Sequence, residues 1–162
     1  MDYMTLSQQR YSVRKYLNKP VEEEKLAHIL EAGRIAPTAA NKQPHKIYLL
    51  KSPEAMEKAR SFTRMMYNAP MALLVCYDDT LSWKADRFGE PGYDGGEVDA
   101  AIVTSAMMME ATELGLGSLW VRGFSAPEAA KVFDLPGNIH PVCFLLLGYA
   151  ADKSEDSRAH TS

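Results

Sequence analysis

The sequence predicts one domain of mixed α/β class, and three observations carry that expectation. Its 162 residues fall within the roughly 100–200 residues usual for a single domain. Helical segments with spaced apolar positions alternate along it with short apolar runs of strand length. No apolar run reaches the roughly 18 residues of a membrane span. The expected domain covers residues 1–150, followed by a polar tail over 151–162.

The elements follow in order. A short helix over 4–10 leads into an extended stretch from Ser12 to Tyr16. Pro20 precedes Glu22, Glu23 and Glu24, acids suited to a first helical turn, and Leu26, Ile29 and Leu30 at helical spacing extend a helix over 22–34. The run 46–50 reads as a strand, and Ser52-Pro53 opens a helix over 53–62. A second buried strand spans 71–77. Five glycines and prolines between Gly89 and Gly96 make 78–96 a long loop, a length usual for lids and binding segments. The segment 97–114 is helical and apolar almost all round, which suits a core helix or one packed on a partner subunit. A strand over 119–121, a helix over 126–133 opened by the Ser125/Glu128 capping box, and a strand over 142–147 complete the chain.

Composition removes several function classes. Eighteen Lys and Arg against 21 Asp and Glu give a net charge of −3, so no cationic surface suited to nucleic acid is expected. The first residues carry no secretory-length apolar stretch, and a cytoplasmic protein without membrane association is expected. Cys76 and Cys143 sit in apolar runs without CxxC spacing and read as small buried hydrophobes. His28, His45, His140 and His160 share no ligand spacing with one another or with the cysteines, so no metal site is expected. GxSxG and Walker sequences are absent, and Trp120 stands where a GxGxxG motif starting at Gly115 needs its third glycine.

Three segments hold chemistry. In Arg10-Tyr11-Ser12-Val13-Arg14, an extended backbone sends Arg10, Ser12 and Arg14 to one side. Two guanidinium forks suit a phosphate dianion, although a solvated basic stretch paired with the Glu22–Glu24 run explains the same residues. In the second segment, Pro37 and Pro44 bracket Thr38, Asn41 and Gln43, whose donors and acceptors suit the edge of a heteroaromatic ring. Thr38 capping a short helix that Asn41 closes is the structural alternative. In the third segment, 113–124, Gly115 is placed to end the long helix, and Gly117 and Gly123 permit close backbone approach to a ligand.

Taken together, RYSVRKY, APTAANKQPH, the Asn68-Ala69-Pro70 triplet and the run from Asp99 through ELGLGSLWVRGF resemble the FMN-dependent nitroreductase family, its short bacterial members in particular, over residues 5 to about 150. The resemblance implies a central, mostly antiparallel sheet flanked by helices in a homodimer. It implies bound FMN, NADH or NADPH as donor, and a small-molecule acceptor such as a nitroaromatic or quinone, reduced in ping-pong fashion through flavin N5. The flavin then performs the chemistry, with no obligatory protein acid or base. Arg10, Tyr11, Ser12 and Arg14 match the motif that holds the FMN phosphate, ribityl chain and pyrimidine edge. Pro37, Thr38, Asn41 and Gln43 match the segment that reaches flavin from the same or the partner subunit. Trp120, Val121, Arg122 and Gly123 match the position that sets a backbone N–H against N5.

The chain departs from the family pattern twice. Met65 and Met66 stand near where some members carry a lysine before the Asn-Ala-Pro strand, and Arg158 is the one arginine left in the tail to close on the phosphate. Related families use the same scaffold for reductive dehalogenation or flavin fragmentation, and a flavin-binding module without turnover is the third expectation. Trp83 and Lys84, on the long loop, are candidates for acceptor selection.

Overall fold

The apolar runs pair into one antiparallel sheet of four strands. In chain order these are β1 (His45–Leu50), β2 (Met71–Asp78), β3 (Gly117–Val121) and β4 (Ile139–Gly148), arranged β1-β2-β4-β3. The computed structural model describes residues 1–151. Strands β2 and β4 lie in the middle, covered on both faces, which is why both read as continuous apolar runs instead of alternating ones. Their register sets Leu73 against Leu145 and Leu74 against Phe144. It slips between Val75 and Cys76, next to Pro141, which has no N–H to give the ladder.

Among the described residues five α-helices flank the sheet: α1 (Tyr3–Gln9), α2 (Glu23–Ile35), α3 (Pro53–Arg60), α4 (Gly96–Glu113) and α5 (Ala126–Val132). On one face Ile29 of α2 and Val103 and Met107 of α4 pack over Leu73, Val75, Leu145 and Leu147. On the other, Met56 and Ala59 of α3 join Leu74, Phe144 and Leu146, with the rings of Phe62 and Phe124 at 6.0 and 5.0 Å from Phe144. The C-terminal end of α4 is tied down by Lys25, whose Nζ donates to the Leu114 carbonyl at 2.8 Å and to the Tyr149 hydroxyl at 2.9 Å. Lys25 so offsets the negative end of the helix dipole.

Every expected element is present, with shifted ends. The strand expected over 119–121 starts at Gly117, and the last strand runs over 139–148, because ladder partners on β4 and β2 extend both beyond their apolar cores. The helix expected to reach 62 ends at Arg60. The long loop is not structureless: it holds a single 3-10 turn, Asp86–Phe88, and a two-residue antiparallel contact between Lys84 and Asp94. Among the described residues no helix is long and apolar enough to cross a membrane.

Candidate active site

The stretch from Arg10 to Tyr16 forms a strap along β3. Ser12 pairs with Ser118 in parallel, and the Val13 N–H donates to the Ser118 carbonyl at 3.0 Å. Val13 is fully buried, and a Cβ on Gly117 would come within 2.7 Å of its side chain. The Tyr16 hydroxyl donates back to the Val13 carbonyl at 2.9 Å. Arg10 caps α1, Arg14 Nη1 donates to the Ser12 carbonyl at 3.3 Å, and Arg10, Tyr11, Ser12 and Arg14 are all half-buried. Beside the strap, Tyr11, Thr112 and the turn over 115–117 line a groove of about 110 Å³.

Beyond β3 the chain makes a tight turn. The Phe124 N–H donates to the Arg122 carbonyl at 2.8 Å, with Gly123 between them. The buried Thr63 hydroxyl donates to the Gly123 carbonyl at 2.9 Å, and the Met65 sulfur occupies the space a Gly123 Cβ would take. Arg122 folds over Phe124, with Nη1 3.1 Å from its carbonyl and the guanidinium 5.3 Å from its ring. This corrects the expectation that Gly117 and Gly123 clear space for a ligand: Val13 and Met65 of the same chain fill it. Val121 is fully buried, leaving only its backbone for a ligand, whereas Trp120 is half-buried and Arg122 and Gly123 are exposed. Met66 is core.

The segment between Pro37 and Pro44 is a strained turn. Ala40, Asn41 and Gln43 adopt φ values of 51°, 52° and 49°, a left-handed conformation costing about 1–2 kcal/mol per ordinary residue. A 3-10 turn, Ala39–Asn41, is present, as the structural alternative anticipated. Thr38 does not cap it; its Oγ1 accepts from the Gln43 N–H at 3.0 Å. Pro37, Asn41 and Gln43 are exposed. The Ala39 N–H donates to Oδ1 of Asp99, a residue 60 positions away and only 2% exposed, in the first turn of α4. At the end of the turn, burial pushes the His45 imidazole below its ordinary pKa, Asp99 opposing that shift and Lys46 adding to it.

Helix α4 separates the two halves of the expected site. The turn over 38–43 is fastened to Asp99 near its N-terminus, whereas the strap lies beside Thr112 near its C-terminus. At 1.5 Å per residue these anchors are about 20 Å apart. One chain brings the strap with Arg10, Ser12 and Arg14 to β3, which carries Trp120 and Val121 and leads to Arg122 and Gly123, and leaves Thr38, Asn41 and Gln43 at the far end of α4. Arg158 lies outside the described residues.

The long loop is cross-braced. Lys84 Nζ donates to the Asp79 carbonyl at 2.7 Å, Ser82 Oγ at 2.5 Å and Asp94 Oδ2 at 2.8 Å, so this lysine is committed inside the loop. Trp83 stacks on Phe88 at 5.8 Å and meets Tyr93 edge-on at 6.1 Å. Three contacts escaped sequence reading: Asp99 with the Ala39 N–H, Thr63 with the Gly123 carbonyl, and the Asn68 side chain with the Tyr16 backbone. Asn68 and Asp99 had a signal, each as the polar residue that opens a run matching the family pattern.

Comparison with known proteins adds to this geometry. The family model described as Nitroreductase family matches residues 8–64 and 59–149. A nitroreductase family protein of Clostridium difficile 630, solved by crystallography, superposes with a TM-score of 0.89 at 38% identity, covering 96% of this chain and 88% of its own. An Archaeoglobus fulgidus relative, provisionally named NADH dehydrogenase/NAD(P)H nitroreductase, is 30% identical over 153 residues, 90% of this chain and 84% of the relative. A Bacillus subtilis protein named FMN reductase (NAD(P)H) is 30% identical over 159 residues, 88% of this chain and 64% of that protein.

Proposed function

The chain belongs to the nitroreductase family, and from that membership we propose that it is a cytoplasmic, homodimeric, FMN-dependent NAD(P)H oxidoreductase, reducing nitroaromatic, quinone or similar small acceptors in ping-pong fashion. The names of the Archaeoglobus and Bacillus relatives support the cofactor and the donor. The single observation that carries the reading is the Ser12–Ser118 pairing. It sets two guanidinium groups and a hydroxyl on the strand that leads to the turn at Gly123.

The donor set fits FMN. Arg10 and Arg14 offer forked, charge-assisted hydrogen bonds suited to a phosphate dianion. Ser12, with a hydroxyl that donates and accepts, suits the polar edge of the flavin ring. Bound there, FMN would supply the redox chemistry, hydride exchange at N5 between nicotinamide and acceptor. The chain's part is position and field. Thr63 and Met65 hold the turn at Gly123 in one conformation, so that a backbone N–H there can orient the flavin ring without reorganising during reaction. The positive charges of Arg10 and Arg14 favour a cofactor carrying negative charge. Within residues 1–150, read as one FMN-binding domain, the strap and the 120–123 stretch serve one flavin, and Pro37, Thr38, Asn41 and Gln43 serve the flavin of the partner subunit.

Two features support a shared site. The first is the separation of the two halves along α4. The second is the outer face of α4, where Val98 and Ile102 are 52% and 39% exposed; Tyr3 and Met4 of α1 are exposed as well, at 70% and 64%. An apolar surface of this kind suits a second copy of the chain. The buried free thiols Cys76 and Cys143 fit a reducing compartment.

The test is a visible spectrum of the purified protein with added FMN, followed by NADH or NADPH without air. The expected result is a flavin spectrum that stays with the protein on desalting and bleaches with one of the two nicotinamides. A protein that retains no flavin contradicts the reading.

A further inference from the structure

We propose that Asp99 is the positioning residue of the flavin-contacting turn: its buried carboxylate holds residues 38–43 in the strained shape in which Asn41 and Gln43 are presented. This rests on the reading above that the turn meets FMN, and adds the residue that sets its shape.

Three observations converge on it. First, the turn cannot hold itself easily. Ala40, Asn41 and Gln43 all sit at positive φ, held within the turn by Asn41 N–H to the Thr38 carbonyl at 2.9 Å, Lys42 N–H to the Ala39 carbonyl at 3.1 Å and the exposed bond from Gln43 N–H to Thr38 Oγ1 at 3.0 Å. Left-handed residues persist only where surrounding structure over-determines them. Second, Asp99 Oδ1 accepts the Ala39 N–H at 2.9 Å across 60 positions of sequence, and it does so from the first turn of an 18-residue core helix. A carboxylate there is steadied by the helix dipole. Third, Asp99 Oδ2 and His45 Nδ1 are both buried with no hydrogen-bond partner among the described residues, and the Asp99 charge acts on the His45 ring. His45 follows Pro44 at the end of the turn, so the carboxylate that accepts from Ala39 at its start also acts by its charge on the residue at its end. An acid 2% exposed is a costly residue to place in a core, and holding this turn is the role its contacts describe.

The role separates from general structure by its hydrogen-bond chemistry. In Asp99→Asn the side-chain oxygen still accepts from Ala39 N–H, whereas Asp99→Ala removes the acceptor. Ala39→Pro removes the donor from the loop side and leaves the core intact; Thr38 already has the extended conformation, φ −135° and ψ 158°, that a following proline requires.

The experiment combines amide hydrogen exchange at Ala39 with FMN retention on ultrafiltration, both on the full chain. Expected for Asp99→Ala are an Ala39 exchange rate and an FMN dissociation constant each raised at least about tenfold, with exchange in β2 and β4 unchanged. Asp99→Asn is expected to stay within about threefold of wild type on both. Ala39→Pro is expected to weaken FMN as Asp99→Ala does, which keeps the proposal testable should the latter not fold. Unchanged Ala39 exchange in Asp99→Ala overturns the proposal, as does loss of FMN in Asp99→Asn equal to that in Asp99→Ala. Wild-type protein that retains no FMN overturns the functional reading instead, and the exchange rates still decide whether Asp99 holds the turn.

Discussion

The side-chain amide of Asn68 satisfies both backbone groups of Tyr16, accepting from its N–H at 2.9 Å and donating to its carbonyl at 2.7 Å. It stands in for a neighbouring strand at the end of the strap that carries Arg10, Ser12 and Arg14. Asn68→Ala leaves two backbone groups to find water, at a cost of about 1–3 kcal/mol. Chemical denaturation should register that loss, and FMN affinity should fall with it. Asn68→Asp keeps the acceptor and loses the donor, so its stability should lie between those of Asn68→Ala and wild type.

Gly96 is required by Tyr77, whose ring occupies the space where a Cβ would stand. Gly96→Ala must displace the aromatic ring or the first turn of α4, an overpacking cost of about 1–3 kcal/mol. Because Asp99 lies in the same helical turn, the substitution should also loosen residues 38–43. A thermal melt and an FMN titration of this variant should both shift.

Ile102 lies on the outer face of α4, 39% exposed beside Val98. Ile102→Glu should leave the monomer folded, since the side chain does not enter the sheet core, and should convert a dimer to monomers on sedimentation. With a site assembled from two copies, FMN retention should disappear in the same variant.

Burial holds the His45 pKa below its ordinary value of 6.5, Asp99 opposing and Lys46 assisting. The unfolded chain therefore takes up a proton in a pH range where the folded chain does not. Stability from this residue is present in full above the unfolded value and declines as pH falls below about 6.5, until His45 is itself protonated in the fold. Denaturation midpoints at pH 7.5 and 5.5 should drop more in wild type than in His45→Gln.

Elements whose burial pattern is local were legible in the sequence. The continuous apolar runs of β2 and β4 announce strands covered on both faces, and Ser125 at the start of α5 accepts from the Glu128 N–H as a cap should. The strap stands out in the sequence because two guanidinium groups at alternating positions suit a phosphate dianion, and the 120–123 stretch by its place in the family pattern. What stayed hidden was long-range. Nothing near Asp99 marks it as the partner of Ala39, and nothing near Gly117 or Gly123 says that Val13 and Met65 will fill their missing side chains. Lys84 looked available to a substrate because its brace with Asp94 needs a loop reversal that no local pattern announces. The separation of the strap from the turn over 38–43 along α4 is likewise a property of tertiary structure, set by helix length and by where each segment is fastened.

A site built from two copies is tested most directly by complementation between Arg14→Ala, which damages the strap, and Asn41→Ala, which damages the turn. Each variant alone should retain little FMN. When the two are co-expressed in equal amounts, random pairing makes half of the dimers mixed, and a shared site leaves each mixed dimer one intact site, so about a quarter of wild-type FMN should return. A flavin content no higher in the mixture than in either variant alone would contradict a site divided between subunits.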